Sequence, residues 1–391
     1  MDSTASTSEL ASDLLGLLEI QSVTGAESAL AAVLESRFRE RLPAGLAARR
    51  FGDSLVVAPD AIFHGKGGPR PLVVLAGHID TVPIGEAWPP EVRGDRIFGR
   101  GAADMKAGVA VMLRLLETLP QQVGFADRAY VFYAGEEGPA AQNDLPNVLE
   151  VVPRLQRADL AILLEPTAGA LELGCQGSLH AQVTFRGRPC HSARPWLGLH
   201  PLPAALPWLA QVLQHPPRPV RIQGVEFIEV VTVTQLRSGE ARNILPGSVT
   251  VNVNLRYPPD RSAEEAEAFA RSLCPAPRPL VEASDKENEK VGIEVEIMDH
   301  AVAGTIPMEA PHYRHLLEST GLPRRAKQAW TDVARFSILG VPALNWGPGD
   351  PRLAHTRNEE IEISQLEEVY RQMERFLRGS GPDRSGEETP S

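Results

Sequence analysis

An α/β fold, a mostly parallel sheet flanked by helices with a second, α+β unit inserted into it, is the architecture that this 391-residue sequence predicts. Three observations carry the prediction. Residues 1–177 alternate amphipathic helical stretches with short apolar runs, the pattern of βαβ units. From 178 to 302 the apolar period shortens to two, which marks strands with one solvated face. Near 303 the first pattern resumes and runs to 378, so the chain divides into a discontinuous domain (1–177 and 303–378) and an inserted one (178–302). The tail 379–391 is polar and rich in Gly, Pro and Ser, the composition of a disordered end.

The elements follow in order. In ELASDLLGLLEI the apolar positions keep helical spacing, and acidic residues stand where a secretory leader needs basic ones. PLVVLAGHIDTVP (71–83) is an apolar strand that ends by presenting His78 and Asp80. GRGAADMKAGVAVMLRLLETL (99–119) is a Gly-rich turn carrying Asp104, followed by a helix with Val109, Met112, Leu113 and Leu116 on one face. RAYVFYAGEEG (128–138) runs a strand into the paired acids Glu136 and Glu137, and LAILLEPT (160–167) runs another into Glu165.

SLHAQVTFRG, FIEVVTVTQLRSG, SVTVNVNLRY and GIEVEIMDHA then give four alternating strands, with helical stretches at 201–214 and 262–273 between them. Pro-rich runs at 201–219 and 275–279 carry loop signals. The last part holds a helix at 311–320, a strand around 340–346, a loop with His355, and a helix at 361–378.

These strand ends point to one chemistry. Ligands in open α/β sheets bind beyond the carboxyl ends of the strands, and that is where His78, Asp80, Asp104, Glu136, Glu137, Glu165 and His355 fall. Any one of them alone reads as a solvated loop residue or a helix cap; their joint occurrence reads as a two-metal hydrolase. Residues i and i+2 of an extended chain point the same way, so Asp80 can hydrogen-bond one nitrogen of His78 while the other holds a metal. A catalytic zinc takes about three protein ligands plus water, and paired metals share bridging oxygens. The count closes if Asp104 bridges, His78 and Glu165 complete one metal, and Glu137 and His355 the other. Glu136 is left over as the general base.

Composition narrows the rest. With 43% hydrophobic residues the chain can bury a large core. Its cysteines, Cys175, Cys190 and Cys274, are odd in number and form no CxxC pair, which argues against a disulfide framework and for a reducing, cytoplasmic setting. A net charge of −11 argues against nucleic acid, and no run reaches the roughly 18 apolar residues of a membrane span.

GHIDTVP, GRGAADMKAGVAV, YAGEEG, LLEPT and the late LAH resemble the di-zinc amidohydrolases, a family of acetylornithine deacetylases, aminoacylases, dipeptidases and succinyl-diaminopimelate desuccinylases. The likeness runs from QSVTGAES (21–28) to about Leu377. GCQGSL (174–179), RPCHSARPWLGLHP (188–201), RNILPGSVTVNVNLRYPPDRS (242–262) and WTDVARFSILGVPALNWGPGDPRLAH (330–355) are most similar to the actinobacterial type of desuccinylase.

The resemblance implies two Zn(II) ions per subunit, with Co(II) or Mn(II) as substitutes, and a small anionic N-acyl amino acid as substrate. The implied reaction converts N-succinyl-LL-2,6-diaminopimelate and water to succinate and LL-2,6-diaminopimelate, in lysine and cell-wall precursor synthesis. An N-acetylornithine or N-acetyl-lysine deacetylase, another aminoacylase, and a metal-retaining binding homologue are the alternatives. It also implies a homodimer formed through the inserted domain, in which His191 reaches a partner's site to stabilise an oxyanion. Asn243 and Arg256 match substrate contacts, with Arg194, Thr331 and Asp332 as further pocket candidates. Finally, it implies a cis peptide between Asp104 and Met105.

Overall fold

The computed structural model describes residues 8–85, 87–281 and 288–379. The tail expected at 379–391 lies, apart from Gly379, outside the described residues. Two compact units emerge. The first is built from the chain up to Leu173, from Ile306–Arg325 and from Arg335 onward; the second takes Gly174–Thr305 and Ala326–Ala334.

The first unit holds an eight-stranded sheet in the order Leu46–Phe51, Ser54–Pro59, Asp127–Tyr133, Leu72–His78, Leu160–Leu163, Ala343–Asn345, Leu171–Leu173, Arg324–Ala326. Its four middle strands are parallel. Every residue of Leu72–His78 is buried, as the unbroken apolar run LVVLAG requires of a strand covered on both faces. The sheet is more mixed than the expected mostly parallel one. Leu46–Phe51 and Ser54–Pro59 are joined by the two residues Gly52 and Asp53, with Gly52 at φ 59°, and so short a link permits only an antiparallel hairpin.

Helix Lys106–Thr118 is buried along most of its length and touches helices Glu9–Leu18 and Ile363–Arg378. It also sits hard against the sheet: a Cβ on Gly108 would lie 2.3 Å from the carbonyl oxygen of Leu164. Only glycine allows that approach.

The second unit is a five-stranded antiparallel sheet, ordered Arg218–Ile222, Val225–Ser238, Ser248–Tyr257, Gly177–Arg186, Gly292–Ala301. Val183, Phe185, Val249, Val251 and Val253 pack with Ala205, Trp208, Leu209 and Val212 of helix Leu202–Leu213. Leu179, Ala181, Leu255 and Tyr257 pack with Ala266 and Ala270 of helix Ala263–Ser272. That second helix begins at a capping box, in which the Glu265 N–H donates to Ser262 Oγ and the Ser262 N–H donates to Glu265 Oε2.

The sheet has one strand more than the four expected. The Pro-rich run 201–219 is not a loop throughout: helix Leu202–Leu213 fills most of it, and the strand Arg218–Ile222 starts at its end, where as an edge strand it tolerates Pro219. Gln223 at φ 49° and Gly224 at φ 85° form its two-residue hairpin turn.

Candidate metal centre

The parallel register of the middle strands assembles the acids and imidazoles of the first unit. His78 is the last residue of its strand and pairs in register with Tyr133, so Glu136 and Glu137 follow just beyond the neighbouring strand end. Ala76 pairs with Leu163 on the other side, so Glu165 follows two residues beyond that strand end. Gly135, at φ 79°, makes the turn after Tyr133 possible, since a Cβ there would lie 2.0 Å from the Gln142 carbonyl oxygen.

Asp104 sits between two imidazoles. Its Oδ1 lies 3.2 Å from His78 Nε2, and its Oδ2 lies 3.4 Å from His355 Nε2. His355 Nε2 is also 2.8 Å from Glu137 Oε1. The donor atoms of His78, Asp104 and Glu137 all lie within 4.8 Å of one another. Glu165 is buried but stands outside that tight group, as does Glu136. His355 itself adopts φ 62°, a left-handed conformation uncommon outside glycine, and the peptide between Asp104 and Met105 is cis.

Asp80 does more than the sequence suggested. His78 Nδ1 donates to the backbone carbonyl of Asp80 at 3.1 Å, while the Asp80 carboxylate stands 3.5 Å from that nitrogen. The carboxylate instead accepts the N–H of Glu136 on Oδ1 and the N–H of Glu137 on Oδ2, each at 3.0 Å, together with the Thr24 hydroxyl at 2.8 Å. It therefore fixes the turn that carries both acids.

A second carboxylate, absent from the sequence reading, fixes the other turn. Glu359 is 1% exposed, and its Oε1 accepts the N–H groups of Gly101, Ala103 and Asp104, all at 3.0 Å. Its Oε2 accepts from Arg100 Nη1 at 2.6 Å. In the sequence Glu359 falls between the loop of His355 and the helix expected at 361–378.

The electrostatics couple the acids to the two imidazoles. Burial opposes ionisation of Asp104, yet hydrogen bonds from His355 and then His78 hold its carboxyl far below the usual carboxylate range. Asp104 and then Glu137 push His355 up to about 10. Burial works against a charge on His78, but Asp104 and Asp80 raise it well above its ordinary value, and Glu136 adds to the effect.

This donor set fits a metal pair. Oxygen and imidazole nitrogen without thiolate suit zinc, cobalt or manganese. A carboxylate with one oxygen turned to each histidine has the geometry of a bridging ligand.

The remaining candidates belong to the second unit. His191 lies on the short strand Cys190–His191, paired with Ile244–Leu245, and Ser192 N–H donates to Asn243 O at 2.9 Å, so His191 and Asn243 are neighbours. His191 Nδ1 accepts the Ala193 N–H at 3.0 Å, which leaves the Nε2–H of the neutral ring as a donor. Arg194 follows on the same loop, its N–H bonded to His191 O. Arg256 sits on strand Ser248–Tyr257 and donates from Nε to Asn254 Oδ1 at 3.1 Å. Thr331 and Asp332 are buried in the same unit.

In the metal-free protein at pH 8, below the His355 value of about 10, this imidazole carries a proton. A metal takes only the neutral ring, so a metal bound by His355 would expel that proton. Titration calorimetry of the metal-free protein with a divalent transition metal, in two buffers of different ionisation enthalpy, should give enthalpies that differ accordingly. Buffer-independent enthalpies would contradict a ligand role for His355.

The chain is similar to known proteins. The sequence profile of Peptidase family M20/M25/M40 matches residues 74–379. The succinyl-diaminopimelate desuccinylase of Corynebacterium glutamicum is 34% identical over 376 residues, covering 93% of this chain and 97% of that protein. A Mycobacterium tuberculosis protein provisionally given the same activity is 36% identical over 350 residues, 88% of this chain and 93% of its own. The crystal structure of Bacillus subtilis YXEP, titled a dinuclear metal binding peptidase of the M20 family, superposes with a TM-score of 0.64 at 12% identity, covering 94% of this chain and 96% of that one.

Proposed function

This chain belongs to peptidase family M20/M25/M40, and from that membership we propose that it hydrolyses the amide of N-succinyl-LL-2,6-diaminopimelate to succinate and LL-2,6-diaminopimelate. The observation that carries the reading is the Asp104 carboxylate shared between His78 and His355. Two Zn(II) ions, with Co(II) or Mn(II) as substitutes, would polarise the amide carbonyl and acidify the attacking water. His78, Asp104 and Glu165 would hold one, and Asp104, Glu137 and His355 the other.

The chain's own groups do the rest. Glu136 takes the proton of the attacking water and passes it to the leaving amine. Support for that role comes from its place on the Asp80-anchored turn beside Glu137. Asp80 keeps both acids and the His78 ring in position. The Nε2–H of His191 donates to the developing oxyanion, a role in keeping with the tautomer that the Ala193 N–H favours.

Arg256 receives the succinyl carboxylate through a two-pronged hydrogen bond. Among the described residues no carboxylate is paired with it, and burial depresses its pKa, so an anionic substrate would supply the missing partner. Asn243, Arg194 and Thr331 complete the substrate contacts in this reading. The active species is a cytoplasmic homodimer formed through the second unit. No helix among the described residues is long and apolar enough to cross a membrane.

The test of the function is a panel of N-succinyl and N-acetyl amino acids offered to the metal-loaded protein, with succinyl-diaminopimelate expected to give the highest kcat/KM. Arg256→Ala should raise KM for succinylated substrates by about tenfold to a hundredfold, the worth of a charged hydrogen bond, and leave acetylated ones nearly unchanged. A wild-type preference for acetyl groups would replace the desuccinylase reading with a deacetylase.

Glu136→Gln should cut kcat by about 10²- to 10⁴-fold while metal content stays at the wild-type level, because a base contributes to rate and a ligand to affinity. Loss of metal, measured by atomic emission, would make Glu136 a ligand instead.

Mixing inactive Glu136→Gln protein with inactive His191→Ala protein under subunit exchange should restore activity, since some hybrids would pair an intact Glu136 with the partner's intact His191. Exchange verified by mass spectrometry without recovery, or a fully active monomer, would exclude a histidine acting across subunits.

A further inference from the structure

Glu359 is a buried acid that the reaction does not use, yet it is bonded to the backbone of a proposed ligand. Three N–H groups of one turn, from Gly101, Ala103 and Asp104, converge on its Oε1. Successive N–H groups pointing into one concavity make an anion-binding nest, and here the anion is supplied by the protein itself. Arg100, from the same turn, neutralises the outer oxygen. The backbone of Glu359 is set as firmly: Gly99 N–H donates to its carbonyl at 3.1 Å, and the next residues, Glu360–Glu362, pair antiparallel with Arg96–Phe98.

The placement of Glu359 in the chain gives this cluster its meaning. It lies four residues after His355, so one short segment carries an imidazole that touches Asp104 Oδ2 and a carboxylate that grips the Asp104 N–H. We propose that Glu359 is a positioning residue that clamps the Asp104 turn to the His355 loop and thereby sets the affinity for the metal pair. The inference rests on Asp104 being a metal ligand and on nothing in the choice of substrate. Backbone clamping acts before any metal arrives, so Asp104 is held in place in the metal-free protein. Without the clamp, metal binding would have to order the turn, and affinity would fall by that amount.

Metal affinity, measured against a chromophoric chelator, is the readout. Glu359→Gln keeps an acceptor for the N–H groups but loses the charge, and Glu359→Ala loses both. Affinity should therefore fall by about tenfold in the first and toward a hundredfold in the second, the range expected for outer contacts of a metal ligand.

Arg70→Met is the control for general destabilisation. It removes three hydrogen bonds to the carbonyls of Gln121, Gly124 and Ala126, so it should lower the melting temperature and leave metal affinity at the wild-type value. A folded Glu359→Gln protein with wild-type affinity, or an equal loss in Arg70→Met, overturns the proposal.

Hydrogen exchange on the unmutated, metal-free protein decides the matter even if the variants do not fold. The amides of Gly101, Ala103 and Asp104 should be protected there, and exchange at the rate of open loops would overturn the clamp. A wild-type protein that takes up no metal would instead refute the metal reading itself.

Discussion

Burying several carboxylates at one sheet edge is the constraint on which the rest of this structure depends. An ionised acid taken out of water must find donors at once, and at this edge the nearest donors are the backbone N–H groups of the turns themselves. Asp80 takes those of Glu136 and Glu137; Glu359 takes those of Gly101, Ala103 and Asp104. Asp80 and Glu359 are thereby satisfied, and each of their turns is locked in the shape that points the next acid inward. Solvation of one group and orientation of another are the same set of hydrogen bonds.

The parallel strands make this arrangement possible because their register is fixed over a long stretch. From Leu72 paired with Asp127 to His78 paired with Tyr133 the ladder has no bulge, so the turns that follow begin from a common edge. Close packing then locks the edge from the side. Gly108 lets helix Lys106–Thr118 rest on the Leu164 carbonyl, and Gly347 brings another loop within 2.5 Å of the Glu165 carbonyl for any Cβ placed there. Small residues at these points are part of the site as much as the acids are.

Much of this was legible in the sequence, for a physical reason. The middle strands are buried on both faces, so their apolar runs stand out, and each stops at a polar residue where the sheet ends. The alternating strands and both helices of the second unit were equally plain, because one wet face enforces a period of two. What escaped notice was anything that depended on a distant partner. Arg218–Ile222 pairs only through its edge, and Pro219 hid it. Glu359 looked like one more acid in a charged stretch, since nothing local says that its carboxylate meets a turn more than 250 positions earlier in the chain. The backbone role of Asp80 was missed likewise, since N–H groups leave no trace in a string of side chains.

The order of strands has a bearing on how the molecule is made. Ala343–Asn345 runs between Leu160–Leu163 and Leu171–Leu173, so a strand near the end of the chain fills a slot between two from its first half. While a ribosome is still delivering the chain, those two earlier strands have no partner on their facing edges. The first unit therefore closes only after nearly all of the polypeptide has emerged, and His355, ten residues past that late strand, arrives with the closure. A nascent chain can thus hold no finished centre, and an intermediate stalled short of that point presents an open strand edge of the kind that chaperones guard.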